Sequence, residues 1–326
     1  RLFSLYPRPN GFTPRRQGTA GGATMYSNLA LGVLSRLKIK PPVDESVWDP
    51  NSLPSEREID QLFSRVTAAV NREDDSQTLN GRFRRLFSRE AKRDCVQLVD
   101  DHSALDDCVR ALHRQRHDGV AFDAEGTRLG RRGKLCLLQL AAAEGPVYVV
   151  DVLTLGPEYL SFGPLKVLLE DPTVVKLSFD CRRDSDALMH QFGVKLTGCW
   201  DIQLADVLAR REDGQLVRFV RGYVGCLRQR VAMEITSELV AIQGRTKVVF
   251  EEDPMVWERR PLSDDMLIYA ASDVAMMHRL RDVITQDLAN VENAKERVLR
   301  ASGAYEAELR DAAEDYQGGS TMAPEV

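Results

Sequence analysis

The segment Val120–Gly126 joins the start of a buried strand to two closely spaced acids. Its first three residues are apolar, which is typical of a strand inside a sheet. Asp123 and Glu125 follow, and alternate residues of a strand point to the same face, about 6.5 Å apart along the chain. Like charges on one face repel each other, whereas hard divalent cations prefer carboxylate oxygens. The segment indicates either a pair of metal ligands or a strand that runs out into an acidic loop.

Composition narrows the class of protein. The 326 residues suffice for one large domain with extensions or for two small ones, and no apolar run approaches the roughly 18 residues that cross a membrane. The five histidines show no metal-ligand spacing and the six cysteines form no CxxC pair, which argues against a zinc enzyme. We expect buried thiols in a reducing compartment, with organelle, nucleus and cytoplasm all open. The cysteines are Cys95, Cys108, Cys136, Cys181, Cys199 and Cys226.

The first part of the chain differs in composition from the rest. Residues 1–58 lack sustained periodicity and contain seven prolines, which predicts a disordered basic N-terminal extension. Residues 1–43 carry a charge of +7, so the remainder carries −12. This acid-free start resembles an organellar transit peptide, and a flexible tail is the alternative. Residues 59–92 predict a helical lead-in, which either packs on the following domain or contacts RNA through its basic run.

Residues 93–287 alternate short apolar runs with helical periodicity, which predicts one domain. The short loops between the second, third and fourth strands suit antiparallel neighbours. The later helices then give an α/β fold, a mixed sheet flanked by helices. The other predicted strands are 95–99, 135–141, 147–150 and 174–179, and the predicted helices are 101–116, 160–169, 184–192, 201–210 and one long helix from Ser263.

Residues 288–326 are charged and rich in alanine, which predicts a charged helical C-terminal tail. We expect this helix to be solvated. Its alternative role is contact with a second copy or a protein partner, although it has too few heptads to indicate a coiled coil.

Two further groups of residues join the acids of the first segment. Asp180, Asp184 and Asp186 stand where a strand gives way to a helix. Stabilisation by the helix dipole accounts for one such acid more easily than for three. Tyr269 and Asp273 are four residues apart in a predicted helix, so a phenol and a carboxylate share one face. An ordinary amphipathic helix with the tyrosine in the core is the alternative.

The order of these motifs resembles the DEDD superfamily of exonucleases, in its tyrosine-containing branch: DxE, an Asp at a strand–helix junction, then YxxxD on a helix. The resemblance runs from about Cys95 to Val283 and is nearest to the group of ribonuclease D, the Werner exonuclease domain and the exonuclease 3′–5′ domain-like proteins that include Egalitarian. It implies a ribonuclease H-like fold. The segments that carry it are FDAEG (122–126), LLQL (137–140), DCRRDSDAL (180–188), FGVKL (192–196), WDIQ (200–203), DPMVW (253–257) and RPL (260–262).

The resemblance also implies roles for individual residues. Asp123 and Glu125 match the first motif, and Tyr269 and Asp273 match the third. Asp184 matches the second, because the family acid stands four residues before the helix Leu that precedes the FG-KL segment.

Two neighbouring acids match this second motif less well. Asp180 is the alternative to Asp184, at a position that the family commonly writes His-Asp, and here Phe179 replaces the His. Asp186 faces differently on the helix, and we expect a surface or capping acid.

The implied chemistry is phosphodiester hydrolysis with two Mg²⁺ or Mn²⁺ ions, about 4 Å apart in such sites. The four acids would hold the ions and Tyr269 would help to orient the attacking water. The substrate would be single-stranded RNA or DNA with a free 3′ end, RNA being favoured, and the product a nucleoside 5′-monophosphate. The candidate phosphate contacts are Arg131, Arg132 and Lys134.

Two other functions stay open. Some relatives on this scaffold have lost acids and serve as RNA-binding adaptors, but all four acids and the tyrosine are present here. A doubly wound nucleotide-binding protein would need a Gly-rich turn between a strand and a helix, and the GTRLG stretch (126–130) lacks that spacing.

Overall fold

The computed structural model describes residues 95–231 and 252–313, with residues 242, 246, 249, 316 and 321–326. The predicted disordered extension (1–58) and the helical lead-in (59–92) therefore lie outside the described residues. No described helix combines the length and the apolar composition that crossing a membrane requires.

A six-stranded mixed sheet forms the centre of the described chain, as predicted. Its spatial order is β1-β4-β3-β2-β5-β6. The pairs β1/β4, β2/β5 and β5/β6 are parallel, while β2/β3 and β3/β4 are antiparallel. The two antiparallel pairs exclude the doubly wound parallel sheet. The strands are β1 (Val96–Val99), β2 (Val120–Thr127), β3 (Lys134–Ala141), β4 (Val147–Asp151), β5 (Lys176–Ser178) and β6 (Cys199–Asp201).

Helices cover both faces of this sheet, and two predicted helices are each divided. The predicted helix 160–169 ends at Gly163, because Pro164 fits the first turn of a new helix. The long helix from Ser263 breaks at the buried Met276, where apolar residues continue on both sides and hide the break from the sequence. The helices are α1 (His102–Arg114), α2 (Val152–Leu155), α3 (Pro157–Phe162), α4 (Pro164–Glu170), α5 (Arg182–Phe192), α6 (Ile202–Glu212), α7 (Tyr223–Arg230), α8 (Asp264–Ala275), α9 (Met277–Asp287) and α10 (Ala294–Glu308).

The two faces of β2 pack into different parts of the core. Phe122 belongs to a cluster that includes α1, α3 and α4, whereas Ala121 belongs to a cluster that includes α6 to α9. Because side chains alternate along a strand, Asp123 and Glu125 lie on the face of Ala121, towards α8. The six cysteines are buried in these clusters, as predicted.

The C-terminal helix α10 packs against the domain, and the prediction of a solvated helix is wrong. Val298 and Ser302 have no exposed surface. The Ser302 hydroxyl accepts the N–H of Asp201 at 2.9 Å, and Glu306 Oε1 accepts the N–H of Cys199 at 2.7 Å. Polar side chains of α10 thus satisfy the backbone of edge strand β6, beside the apolar packing of Val298 and Tyr305. This mixture of polar and apolar residues on one face is what the sequence pattern does not reveal.

We expect Val298→Ala to lower the free energy of unfolding by about 2 kcal/mol, because it removes buried methyl groups and leaves a cavity. Arg300→Ala, on the exposed side of the same helix, should change it by less than about 0.5 kcal/mol. Urea denaturation of both variants measures the difference. Equal, small effects would show a helix that does not pack in solution.

Candidate functional site

Three acids from two distant segments meet at the junction of β2 and α8. Asp123, Glu125 and Asp273 each place one carboxylate oxygen within 4.8 Å of the others, and all three are partly buried. Within the part of the chain that the structure describes, this is the one such group of metal-ligating side chains. The ligand oxygens of one Mg²⁺ lie 2.0–2.1 Å from the ion, so small side-chain rotations suffice to bring these oxygens onto a cation.

The geometry of β2 presents the first two acids. Asp123 stands directly opposite Gln139 of β3, and Glu125 opposite Leu137, before an irregularity in the register. Gly126 follows at this point, and a Cβ there would lie 2.0 Å from the carbonyl oxygen of Lys134. Only glycine therefore permits β3 to approach so closely beside the acids.

Helix α8 presents Asp273 and, one turn earlier, Tyr269. Ser263 caps the helix by accepting the N–H of Met266 at 3.3 Å. Ala270 and Ala271 are fully buried against the sheet, and their small size lets the helix lie close to the strands. The Tyr269 ring is 5.9 Å from the Trp257 ring, at an interplanar angle of 45°.

Tyr223 at the start of α7 is a neighbour of the acids that sequence reasoning missed. Its hydroxyl donates to the carbonyl oxygen of Ser272 at 3.2 Å, next to Asp273 in the chain. Burial raises the pKa of Tyr223 well above its ordinary value, and the charges of Asp273 and Asp123 raise it further. The phenol therefore stays neutral and keeps its proton for this hydrogen bond. A lone tyrosine at a helix start carries no sequence signal of such a role.

Asp184, the predicted second-motif acid, lies in the first turn of α5 and is 1% exposed. It is outside the group of three acids. The junction that carries it is held by Asp201, whose carboxylate accepts the N–H of Cys181 at 3.2 Å and the Ser178 hydroxyl at 3.3 Å. Burial raises the pKa of Asp201 to about 7.

Asp180, the alternative acid, is paired with an arginine side chain. Arg182 contacts both of its carboxylate oxygens, at 2.6 and 2.9 Å. The Arg182 guanidinium also lies 4.3 Å from the centre of the Tyr305 ring, on α10. Asp180 has a left-handed backbone conformation, with φ of 59°, which aspartate tolerates better than most residues. The residue thus has a structural role in the turn that leads into α5.

Asp186 is buried, and its prediction as a surface or capping acid is wrong. It is 6% exposed and accepts two hydrogen bonds from Arg131, from the backbone N–H at 2.6 Å and from Nε at 2.8 Å. Arg131 also donates to the carbonyl oxygens of Leu309 and Ala312. The loop after β2 folds back over α5, which brings these residues together across 55 positions of the chain.

The three predicted phosphate contacts, Arg131, Arg132 and Lys134, differ in how exposed their side chains are. Arg131 is engaged inside the protein, which argues against a phosphate contact. Lys134 pairs with Glu258 at 2.8 Å and keeps about half of its side chain exposed. Arg132 is exposed.

A 3₁₀ turn, Val256–Glu258, carries Trp257 against Tyr269. Arg260 ties this turn to the end of β4, because its Nε and Nη2 bind the two carboxylate oxygens of Asp151 at 2.5 and 2.6 Å. Burial alone would raise the pKa of Asp151, but hydrogen bonds from Arg260 and Thr154 hold it below its ordinary value. Asp151 therefore stays ionised, and its pair with Arg260 keeps Trp257 next to Tyr269.

The fold and the site together define a class of protein. It has a mixed sheet with helices on both faces, and one face of the sheet carries a group of acids near a tyrosine. Residues 96–289 match the family of the 3′-5′ exonuclease domain, and the chain belongs to this family. This match confirms the resemblance that the sequence motifs indicated.

Curated relatives carry two different names. The chain is 32% identical to mouse piRNA biogenesis protein EXD1 over 181 residues, which cover 54% of this chain and 31% of the mouse protein. It is 30% identical to ribonuclease D of Gluconacetobacter diazotrophicus over 188 residues, 57% of this chain and 42% of that protein. The chain thus spans less than half the length of either relative.

Solved structures of RNase D from Trypanosoma brucei share the fold. One is 26% identical, with a TM-score of 0.57 over 72% of this chain and 79% of that chain. A complex of the same protein with RNA U12 is 25% identical, with a TM-score of 0.57 over 76% and 80%.

We expect Arg131→Met to lower the free energy of unfolding by about 3 kcal/mol, because it leaves the buried carboxylate of Asp186 without its cation. Arg132→Met in the same loop should change it by less than about 1 kcal/mol, because the Arg132 side chain is exposed and exposed ion pairs contribute little. Thermal and urea denaturation check both values. A stable Arg131→Met protein with weakened RNA binding would instead make Arg131 a phosphate contact.

The neighbouring arginines 259 and 260 offer a second matched pair. Arg260→Met should cost about 3 kcal/mol of stability, because Asp151 is 2% exposed and would become a buried, unpaired charge. Arg259→Met should cost less than about 1 kcal/mol, since the Arg259 side chain is 71% exposed in its pair with Asp253. Denaturation midpoints of the two variants are compared, and similar losses would contradict the expectation.

Proposed function

We propose that this chain is a metal-dependent 3′-5′ exonuclease that removes nucleoside 5′-monophosphates from the 3′ end of single-stranded nucleic acid, with RNA favoured. The observation that carries the proposal is the meeting of Asp123, Glu125 and Asp273 within 4.8 Å. Asp273 stands 148 positions after Glu125 in the chain, and the mutual repulsion of the three acids has no structural benefit unless a cation binds.

The donor set fits Mg²⁺ or Mn²⁺, because all of its ligand atoms are carboxylate oxygens. Asp123, Glu125 and Asp273 would hold the ions, with Asp184 as a fourth ligand from the second motif. The binding of Asp180 by Arg182 supports Asp184 over Asp180. When bound, two such ions supply an activated water and charge stabilisation on both sides of the scissile phosphate.

Tyr269 lies one helical turn from Asp273, on the same face of α8. Its phenol would donate or accept a hydrogen bond at the attacking water and so orient it towards the phosphorus. Trp257 beside it limits the positions that the ring can take. The exposed Arg132, in the loop after β2, and the half-exposed Lys134, at the start of β3, would contact the phosphates of the incoming strand.

The proposed preference for RNA rests on the names of the relatives and on one of the similar solved structures. Ribonuclease D is named for an RNA substrate, and the Trypanosoma brucei protein was solved with RNA U12. The match to piRNA biogenesis protein EXD1 points to the same class of nucleic acid.

An RNA-binding adaptor on the same scaffold is the second candidate. It is favoured by Phe179, which stands where the family commonly has a His. The Phe179 ring packs edge-on against Tyr223, with centroids 5.4 Å apart and an interplanar angle of 75°. The substitution therefore places an apolar ring next to Tyr223, whose hydroxyl donates to the carbonyl oxygen of Ser272 beside Asp273.

The test is degradation of 5′-labelled single-stranded RNA and DNA of equal sequence, with Mg²⁺ or Mn²⁺. We expect a ladder that shortens from the 3′ end, faster on RNA, and lost with EDTA. Asp273→Asn should lower the rate at least about 1000-fold, since it removes a metal ligand. Asp265→Asn, an exposed acid of the same helix, should leave the rate within about twofold.

RNA binding of the same proteins, measured by fluorescence anisotropy, distinguishes the two candidates. Wild-type protein that binds RNA but degrades neither substrate with either metal would replace the exonuclease by the adaptor. Degradation that persists in Asp273→Asn would contradict the assigned site.

A further inference from the structure

Gln139 of β3 is a buried polar residue whose side chain makes no hydrogen bond to the residues that the structure describes. Its side chain has no exposed surface. Neither Nε2 nor Oε1 has a hydrogen-bond partner within the described part of the chain. An unsatisfied buried amide costs about 1–3 kcal/mol, and most buried polar groups in proteins are paired. An apolar residue at this position would make a more stable strand, so the glutamine needs another explanation.

Gln139 lies next to the acids in the sheet. The antiparallel register of β2 and β3 puts it directly opposite Asp123. Directly opposite residues point to the same face of a sheet, with Cβ atoms about 4.5–5.5 Å apart. Its neighbours two positions away, Leu137 and Ala141, pack in the cluster that includes α8. The carboxamide therefore lies on the face that carries the three acids, beneath the helix of Asp273.

We propose that Gln139 is a positioning residue for the divalent cation of the three-acid group and acts through Asp123. Its Nε2 donates to the carboxylate of Asp123 when that carboxylate turns to bind the cation, and this fixes the direction of the ligand oxygen. The inference rests on the proposed metal-dependent function. Gln139 is fully buried and does not touch substrate.

The physical reason lies in the two states of the site. Without a cation the carboxylates of Asp123, Glu125 and Asp273 repel one another, and rotation away from the common point relieves this repulsion. With a cation the carboxylates must converge. A buried donor beside one of them favours the convergent orientation, and outer partners of this kind are worth about 10–100-fold in metal affinity. Gln139 thus lowers the stability of the cation-free protein and raises its affinity for the cation.

The experiment measures Mn²⁺ binding by electron paramagnetic resonance of the free ion, together with urea denaturation without metal. Gln139→Met keeps the side-chain volume but removes both polar atoms. We expect its Mn²⁺ dissociation constant to rise about 10–100-fold, while the metal-free protein is as stable as the wild type or more stable. Gln139→Leu is measured beside it as a second apolar replacement.

Gln203→Met is the matched control. Gln203 is also buried and has an unpaired Oε1, but it lies on α6 and its Nε2 donates to the carbonyl oxygen of Arg221 at 3.1 Å. This variant should lose some stability and bind Mn²⁺ within about twofold of the wild type. A cycle with Asp123→Ala tests whether Gln139 acts through Asp123. Gln139→Met should add no further loss of Mn²⁺ affinity in the Asp123→Ala background, because the ligand that Gln139 positions is already gone.

Unchanged Mn²⁺ affinity in both Gln139 variants would overturn the proposal. So would a loss of affinity that comes with lower metal-free stability, since this would mark a packing residue. Additive losses of Mn²⁺ affinity in the double-mutant cycle would show that Gln139 does not act through Asp123. Wild-type protein that binds no Mn²⁺ would overturn the metal-dependent function itself, and this result differs from a failure confined to Gln139.

Discussion

Carboxylates of like charge repel one another, and this fold holds three of them within 4.8 Å. Two unit charges 4 Å apart repel by about 4 kcal/mol at the effective dielectric of a site near the surface. The packing of the elements that carry them has to offset this free energy. Phe122 and Ala124 anchor β2 from the opposite face of the sheet, and Ala270 and Ala271 anchor α8, all without exposed surface. A divalent cation would reverse the sign of the interaction.

The residues around the acids do not bind metal but hold the elements of the site in place. Tyr223 bonds the backbone next to Asp273, and Trp257 packs beside Tyr269 under the tie between Arg260 and Asp151. In each case a buried group restricts one element of the site rather than presenting a reactive atom. These groups come from three separate segments of the chain, around residues 151, 223 and 257–260, so a preorganised site depends on the complete fold.

The family match ends at residue 289, but the site also depends on the C-terminal helix α10, which follows it. Its Ser302 and Glu306 bond to β6, and the carbonyl oxygens after it bind Arg131. Arg131 in turn holds Asp186, two residues from Asp184. The loop after the first two acids, the helix of the second motif and the C-terminal helix therefore form one connected structure. The charged composition of the last helix conceals this role, because the buried Ser302 and Glu306 share its packed face with the buried Val298 and Tyr305.

The sequence by itself determined the mixed sheet, the acids on one face of β2 and the shared face of Tyr269 and Asp273, because strand and helix periodicities are local properties. Tertiary structure alone decided which side chains meet across distant segments. It divided the helix at Met276, buried Asp186 beneath Arg131, and placed Tyr223 beside the acids and Gln139 opposite Asp123. Periodicity tells which face of an element is buried. The partner that it meets there depends on the paths of loops and on the order of strands, which no local pattern records.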